Sequence, residues 1–244
     1  MDPAVDALRI ARAKFDARLY DQAYTDLQAI VGQYGSSPAA ADAYLLMGGI
    51  RERQNRADDA MAVYVELRSK YPSSVSSAEG MFHNAELLLR SRRDDRDRAA
   101  RDLFTAIETS FPNSPFAPRA LGRRAIIEER LRIRVVDPQI ATSVPASLVS
   151  LRSLVERYPT AQGAELAFDT LAKQYEELRR YELAGAALHE MATRYPANKV
   201  DAAWRAGEMF EDRVKDMERA RASYALVPQQ SPRYRDAQRK LQPQ

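Results

Sequence analysis

The sequence predicts an all-α fold, a right-handed superhelical α-solenoid of about six helix pairs followed by a C-terminal capping helix. Two observations predict it. Glycine accounts for only 9 of 244 residues, about half the share of an average protein and too few for the turns of a many-stranded sheet. Prolines also recur along the chain at intervals of 40, 47, 37 and 36 residues, and a small residue stands twelve positions before each of them. These prolines are Pro72, Pro112, Pro159, Pro196 and Pro232.

The second helix of each predicted pair carries this small residue on its packing face. A large apolar residue follows four positions later, one helical turn along the same face. Proline ends the helix because it cannot donate the next hydrogen bond and pushes the preceding residue out of the α region. Gly35 takes the place of proline in the first pair, and Ser147 replaces alanine in the fourth. The small and large residues are Ala23 and Leu27, Ala60 and Tyr64, Ala100 and Phe104, Ser147 and Leu151, Ala184 and Leu188, and Ala220 and Tyr224.

The first helix of each pair also has a small residue. Four positions before it stands a residue whose side chain can pack against a neighbouring helix. Small side chains at such sites allow two helix axes to approach to about 8 Å. In the sixth pair Glu208 stands where a small residue is expected, with Trp204 four positions before it, which predicts that this pair packs least well. The small residues of the other five pairs are Ala11, Gly48, Ala85, Ala125 and Ala172.

Insertions fall only in the turn that joins the two helices of a pair. The third pair gains three residues around Ser91–Asp97, and the fourth gains ten between Leu131 and Pro145. We therefore expect one solenoid domain over residues 1–244 with a capping helix at about 232–242. The six predicted repeats span approximately residues 4–35, 38–72, 76–112, 116–159, 162–196 and 199–232.

The composition argues against an enzyme, a cofactor site and a metal site. The chain has no cysteine, only two histidines, His83 and His189, and no phosphate-binding glycine motif. Neighbouring carboxylates such as Glu128 and Glu129 diverge by about 100° on a helix, so they do not form an acid–base pair. We expect each histidine to be a partly exposed helical side chain, and the protein to be non-enzymatic.

Charge and hydropathy exclude two further classes. The net charge of +3 is spread along the chain and no polybasic tail is present, so we expect no nucleic-acid partner. No stretch is apolar and long enough for a bilayer-spanning helix, and we expect no membrane insertion. The first residues lack the pattern of a secretory signal, which leaves either a cytosolic protein or one whose leader was removed.

The repeat resembles the tetratricopeptide repeat (TPR) family over about residues 4–232. The family motif of a large residue, a Leu-Gly-like pair, a tyrosine, an alanine, an aromatic residue and a proline is matched best in the second and fifth repeats. The second repeat has Tyr44, Met47, Gly48, Ala60, Tyr64 and Pro72, and the fifth has Phe168, Leu171, Ala172, Tyr175, Ala184, Leu188 and Pro196. The resemblance implies a right-handed superhelix whose first helices line a concave groove for a protein or peptide.

The repeats are similar to a bacterial envelope branch of the family. The resemblance rests on repeats of 36 or 37 residues that end in an aromatic residue and proline and restart with Ser-Pro or an Ala-rich segment. Two segments show this pattern, Tyr158–Ala161 and Phe111–Pro115. The branch includes the TPR lipoprotein of the outer-membrane β-barrel assembly machinery and the periplasmic coordinator of the Tol-Pal system. It implies a periplasmic or outer-membrane-associated protein, and otherwise the protein would be cytoplasmic.

Arginine recurs at one register that the resemblance places in the groove, five residues beyond the small residue of the first helix. Four of six repeats carry it there, and such arginines would bind carboxylates of a partner. Two simpler interpretations remain open: a GC-rich genome, or pairing with neighbouring glutamates. With the apolar positions beside them, the candidate partner-binding residues are Leu45, Arg53, Phe82, Arg90, Ile126, Arg130, Arg205, Met209 and Arg213.

The function that follows is a scaffold or adaptor that holds a partner segment in the groove, with the insertion at residues 132–144 as a second contact at the edge. Two alternatives remain open at this point. The chain could be an architectural TPR segment of a longer protein, or a cytosolic regulatory TPR module.

Overall fold

The computed structural model describes residues 2–242 and is 72% helical, which confirms the predicted all-α fold class. The chain divides into two compact units, an N-terminal unit, Met1–Arg123, and a C-terminal unit, Arg124–Gln244. The organisation of residues 1–244 as a single solenoid domain stays a prediction.

In the N-terminal unit each helix from α1 to α5 packs against the next one along the chain. First helices also contact one another, α1 against α3 and α3 against α5. The boundary between the two units falls inside α7. The helices are α1 Pro3–Asp16, α2 Tyr20–Gln33, α3 Pro38–Arg53, α4 Ala57–Lys70, α5 Val75–Arg90, α6 Arg96–Ser110 and α7 Phe116–Arg130.

The C-terminal unit also consists of helix pairs. A β-hairpin precedes its helix α8, and the predicted capping helix is the last element. That helix, α13, begins two residues later than the approximate range predicted for it. The elements after α7 are β1 Arg134–Asp137, β2 Thr142–Pro145, α8 Ala146–Arg157, α9 Ala164–Glu177, α10 Tyr181–Arg194, α11 Ala202–Glu208, a π-helix Met209–Val214, α12 Met217–Tyr224 and α13 Tyr234–Leu241.

The small residues that define the repeat lie in the core. On the second helices Ala23, Ala60, Ala100, Ala184 and Ala220 have no exposed surface, and Ser147 is also buried. The large residues one turn later are buried with them; Leu27, Phe104 and Leu188 are completely inaccessible. Small residues thus let neighbouring helices come close, and the large residues fill the space beside each contact.

Five of the second helices end on an aromatic residue in a non-helical conformation: Tyr34, Tyr71, Phe111, Tyr158 and Tyr195. In two of these the aromatic side chain also ties one repeat to the previous one. The Tyr71 hydroxyl donates to the Gly35 carbonyl and the Tyr195 hydroxyl to the Pro159 carbonyl, both at 2.7 Å. The aromatic residue before proline therefore ends a helix and fixes its neighbour.

The insertion in the fourth repeat forms an antiparallel β-hairpin, which the all-helical prediction did not include. Arg134 pairs with Pro145 and Asp137 with Thr142. The hairpin is held to α8 by an ion pair between Asp137, which has no exposed surface, and Arg152. The other Asp137 oxygen accepts the backbone N–H groups of Gln139 and Ile140, so the strand-to-strand turn is closed by the same carboxylate.

The sixth repeat departs from the predicted register by one residue. Glu208 is exposed, and the small residue at the helix contact is Gly207, which is buried. From Gly207 to Ala220 the chain has one residue more than the regular spacing of twelve, and the π-helix between them accommodates it, because its hydrogen bonds span one more residue than those of an α-helix. Weak packing was expected because Glu208 was assigned to the small position, but that position belongs to Gly207.

Candidate functional site

An open cavity of about 480 Å³ lies in the N-terminal unit between the first helices α1, α3 and α5. We call it the trough. Its apolar lining consists of Phe15, Leu45, Leu46 and Gly49. A Cβ atom at Gly49 would lie 3.9 Å from the Phe15 ring, in ordinary contact, so this position faces the open space of the cavity. The neighbouring Gly48 has the opposite role: its place is filled by the ring of Tyr64.

One wall of the trough is a polar cluster of Glu52, Tyr64, Glu79 and His83. The Tyr64 hydroxyl donates to Glu52 Oε1 at 2.6 Å, and His83 Nδ1 lies 3.1 Å from the same oxygen. His83 Nε2 lies 3.8 Å from Glu79. The imidazole also stacks on the Tyr64 ring, with ring centres 5.8 Å apart. The cluster joins three helices, α3, α4 and α5.

Protonation of this cluster is set by its hydrogen bonds. The hydrogen bond to Glu52 and the nearby Glu79 carboxylate raise the pKa of His83 to about 9, so the imidazole is a cation at neutral pH. Burial acts to raise the pKa of Glu52, but the hydrogen bonds of His83 and Tyr64 outweigh it and leave the pKa below its ordinary value. Burial and the adjacent Glu52 raise the pKa of Tyr64, which stays a neutral donor.

Two further cations line the trough. Arg12 and Arg53 are exposed, and within residues 2–242 neither has a carboxylate at ion-pairing distance. The trough therefore offers an apolar floor, two guanidinium groups with free donors, and a wall where a charged imidazole lies between carboxylates. This combination suits an extended peptide that carries both apolar and acidic side chains.

Leu45 and Arg53 are the predicted groove residues that line the trough. Arg90 is exposed nearby, where its charge helps to lower the pKa of Glu52. Phe82 does not provide groove surface: it is 5% exposed and its ring packs against Phe104 and Phe116. The predicted register placed Phe82 in the groove, whereas its contacts with the two aromatic rings hold it in the core.

The other predicted groove residues belong to the C-terminal unit and differ in accessibility. Ile126 is 54% exposed, Arg130 is exposed, and Met209 is half-buried at the start of the π-helix. Arg205 is paired with Asp169 at 2.7 Å and Glu176 at 3.2 Å. Arg213 lies six residues beyond Gly207 instead of five beyond a small residue, and its guanidinium is 5.3 Å from the centre of the Tyr181 ring.

The arginine register has a structural explanation beside the functional one. Arg53, Arg90 and Arg130 are the last residues of α3, α5 and α7. A cation at this end interacts favourably with the free carbonyl groups and the helix dipole. Stabilisation of the helix ends can therefore account for arginine at these three positions.

Sequence reasoning missed Arg12, Phe15 and the pairing of His83 with Glu52. A usable signal existed for Glu52, which stands one helical turn beyond Gly48, the residue that makes room for Tyr64. No local pattern marks the approach of His83 to Glu52 from α5. That contact depends on how α3 and α5 pack.

Within the described residues, no three or more His, Asp or Glu side chains are arranged to hold a metal ion. Between residues 2 and 242, no helix combines the length and the apolar character needed to cross a bilayer.

Comparison with known proteins supports the repeat architecture. A family model described as tetratricopeptide repeat matches residues 42–74, and no curated protein matched the chain. Among solved structures, a MamA double mutant from RS-1 aligns with a TM-score of 0.51 and 12% identity over 82% of this chain and 98% of that one. Pseudomonas aeruginosa PilF aligns with a TM-score of 0.51 and 11% identity over 97% of each chain.

A tetratricopeptide repeat protein from Parabacteroides merdae ATCC 43184 is also similar, with a TM-score of 0.50 and 13% identity over 98% of this chain and 97% of that one. At such identities the likeness concerns the fold alone. The family model thus identifies one tetratricopeptide repeat at residues 42–74, and the solved structures share the helical-repeat fold of this chain.

Proposed function

We propose that the protein is a non-enzymatic interaction scaffold that binds an extended segment of a protein partner in the trough. The observation that carries the proposal is the trough itself, an open cavity of about 480 Å³ with an apolar floor and the exposed guanidinium groups of Arg12 and Arg53. A volume of this size accommodates a few side chains of a peptide. The apolar floor would supply affinity and the charged groups would set direction and specificity.

The segment that fits best has apolar residues next to a carboxylate. Leu45 and Phe15 would contact the apolar residues, while Arg53 would bind the carboxylate through two parallel hydrogen bonds. The remaining predicted partner-binding residues are Arg90 in the N-terminal unit and Ile126, Arg130, Arg205, Met209 and Arg213 in the C-terminal unit. Of these, Arg205 has least to offer a partner because Asp169 and Glu176 already occupy its guanidinium.

A pair of glycine substitutions tests the proposal. Gly49→Trp places an indole in the trough, whereas Gly32→Trp places one on the exposed surface of α2, where a new Cβ meets nothing within 4 Å. A peptide display library is selected against the wild-type protein, and the affinity of the enriched peptides is measured for both variants. We expect Gly49→Trp to weaken binding about tenfold or more and Gly32→Trp to leave it unchanged. Failure to enrich any peptide, or equal binding by Gly49→Trp, would contradict the proposal.

The arginine register is tested with the triple variant Arg53→Ala, Arg90→Ala and Arg130→Ala. If these residues bind the partner, the selected peptides lose affinity while the helix content by circular dichroism stays the same. If the peptides bind as before and only thermal stability falls, the three arginines serve the helix ends alone.

We also propose a location in the bacterial envelope, supported by the aromatic-proline repeat ends such as Tyr158–Ala161. Fractionation of the native cell, with a periplasmic and a cytosolic marker enzyme, tests it. Recovery with the cytosolic marker would favour a regulatory module instead. Recovery as part of a longer polypeptide would favour an architectural segment.

A further inference from the structure

The C-terminal unit contains a second cavity, of about 410 Å³, at the edge where the turns within repeats lie. One side is the tip of the β-hairpin, Gln139 and Ile140. The opposite side is the turn from α9 to α10, and the end of the π-helix closes the third side. It shares no residue with the trough, and we call it the edge cavity.

Three arginines line the edge cavity: Arg179 and Arg180 from the turn and Arg213 from the π-helix. In the part of the chain that the structure describes, none of them has a carboxylate at ion-pairing distance. One acidic residue, Glu182, also lines the cavity, but its carboxylate is already paired with Arg219 at 2.9 Å. The cavity therefore carries a local excess of positive charge that the fold does not neutralise.

The arginines are held in place by neutral contacts, which leave most of their donors available. Arg180 donates to the backbone carbonyl of Ile140 at 3.4 Å. The Arg213 guanidinium lies over the Tyr181 ring at 5.3 Å. Arg179 has a left-handed backbone, with φ of 55°, as required by the tight turn after α9.

The hairpin side of the cavity is also rigid. Asp137 binds Arg152 and accepts the N–H groups of Gln139 and Ile140, while Arg152 donates to the Gln139 side chain at 2.6 Å. Ile140 is 8% exposed. A ligand that enters between the hairpin and the turn therefore meets walls that are already ordered, which reduces the entropic cost of binding.

We propose that the edge cavity binds an acidic segment of a protein partner, in which carboxylates flank an apolar side chain. Each guanidinium can hold a carboxylate through two hydrogen bonds. The apolar atoms of Ile140, Leu183 and Val214 would contact the side chain between the carboxylates. This site lies outside the trough and gives the scaffold a second recognition element of different chemistry.

A single-stranded nucleic acid fits these residues less well. Such ligands need aromatic faces on which successive bases can stack. Tyr181 is the aromatic residue that lines the cavity, and Arg213 already lies over its ring. The arrangement thus favours carboxylates over bases.

The test uses the full chain and a fluorescein-labelled peptide in which glutamates and aspartates flank one phenylalanine, followed by fluorescence anisotropy. The variant is Arg180→Glu with Arg213→Glu. The matched control is Arg221→Glu with Arg235→Glu, because these two arginines are exposed in the same unit, do not line the cavity, and change the net charge equally. Circular dichroism verifies that both variants are folded.

We expect the wild type and the control variant to bind the peptide, and the cavity variant to bind about tenfold or more weakly. The corresponding glutamine and asparagine peptide should not bind, and added salt should weaken the acidic peptide. Equal losses in both variants would mean unspecific attraction and would overturn the proposal. Displacement of the peptide by oligouridine at a lower concentration than by unlabelled peptide would also overturn it, since the site would then prefer nucleic acid.

Discussion

The second and the sixth repeats build the same contact from chains of different length. In the second repeat Gly48 makes room for the ring of Tyr64, whose hydroxyl donates to Glu52. In the sixth, Gly207 makes room for Tyr224, whose hydroxyl donates to Glu211 at 2.7 Å. Each glutamate lies four residues after its glycine.

The difference between the two repeats lies after the glutamate. From Glu52 to Tyr64 the chain advances twelve residues, whereas from Glu211 to Tyr224 it advances thirteen. The π-helix takes up the additional residue, so that α12 still presents Tyr224 to Gly207. The contact between glycine and tyrosine is thus the feature on which the helix pair depends, and the spacing can vary around it.

Deleting one residue should destabilise the second repeat much more than the sixth. Deletion of Asp212 would restore the regular spacing and let the π-helix close as an α-helix. Deletion of Arg53 would leave the second repeat one residue short and rotate part of the pair by about 100°, which would expose Tyr64 or Leu67. Each buried apolar side chain is worth about 1.5–3 kcal/mol.

We therefore expect the Arg53 deletion to lower the free energy of unfolding by about 3 kcal/mol or more, and the Asp212 deletion to change it by less than about 1 kcal/mol. Urea denaturation followed by circular dichroism measures both. A comparable loss in the two variants would show that the π-helix is required for the sixth repeat and does not merely absorb a residue.

Adding a methyl group at each glycine tests the contact directly. A Cβ at Gly48 would lie 2.2 Å from Tyr64 Cε1, and one at Gly207 would lie 2.3 Å from Tyr224 Cε1. We expect Gly48→Ala to destabilise the protein by about 1–3 kcal/mol. Gly207→Ala should cost less, because the π-helix beside it can rearrange.

The control for these substitutions is Gly32→Ala on the exposed face of α2, where no atom lies within 4 Å of the new Cβ. It should stabilise the protein by about 0.5–1 kcal/mol, because alanine restricts the unfolded chain. Thermal or urea unfolding of the three variants gives the comparison. A stabilising Gly48→Ala would mean that Tyr64 does not need the space that glycine leaves.

The sequence was sufficient for the helix pairs because their signal is local. Proline, the preceding aromatic residue and the small residue twelve positions earlier all lie within one helix, and each has a direct steric effect. The position of the long insertion was predicted for the same reason. Its hairpin was not, since Asp137 becomes favourable in that turn only when Arg152 arrives from α8 to pair with it.

The candidate site was predicted less completely because it depends on packing between helices. Leu45 and Arg53 could be placed from their register on α3. The burial of Phe82 requires Phe104 and Phe116 from two other helices, and the cluster around His83 requires α3, α4 and α5 together. The shift at Gly207 was missed because a uniform spacing of twelve residues before Ala220 was assumed, which places the small position at Glu208.

The smallest expected effect concerns the second partner of each glutamate, which differs between the two repeats. Glu52 interacts with His83, whereas Glu211 interacts with Lys240 at 2.7 Å. The pKa of His83 is raised to about 9 in the folded protein from 6.5, so protonation favours folding. Its stabilising contribution is complete below about pH 6.5 and is lost as the pH rises through about 9.

We expect the urea midpoint of the wild type to decrease modestly across this range, because His83 is partly exposed and its interactions are screened by solvent. The control is His83→Gln, which keeps a hydrogen-bonding side chain without a titrating group and should give a flat profile over the same pH range. An NMR titration of His83 should show its midpoint near pH 9. A midpoint at the ordinary value for histidine would mean that Glu52 is held by Tyr64 alone, and the two repeats would then differ only in the π-helix.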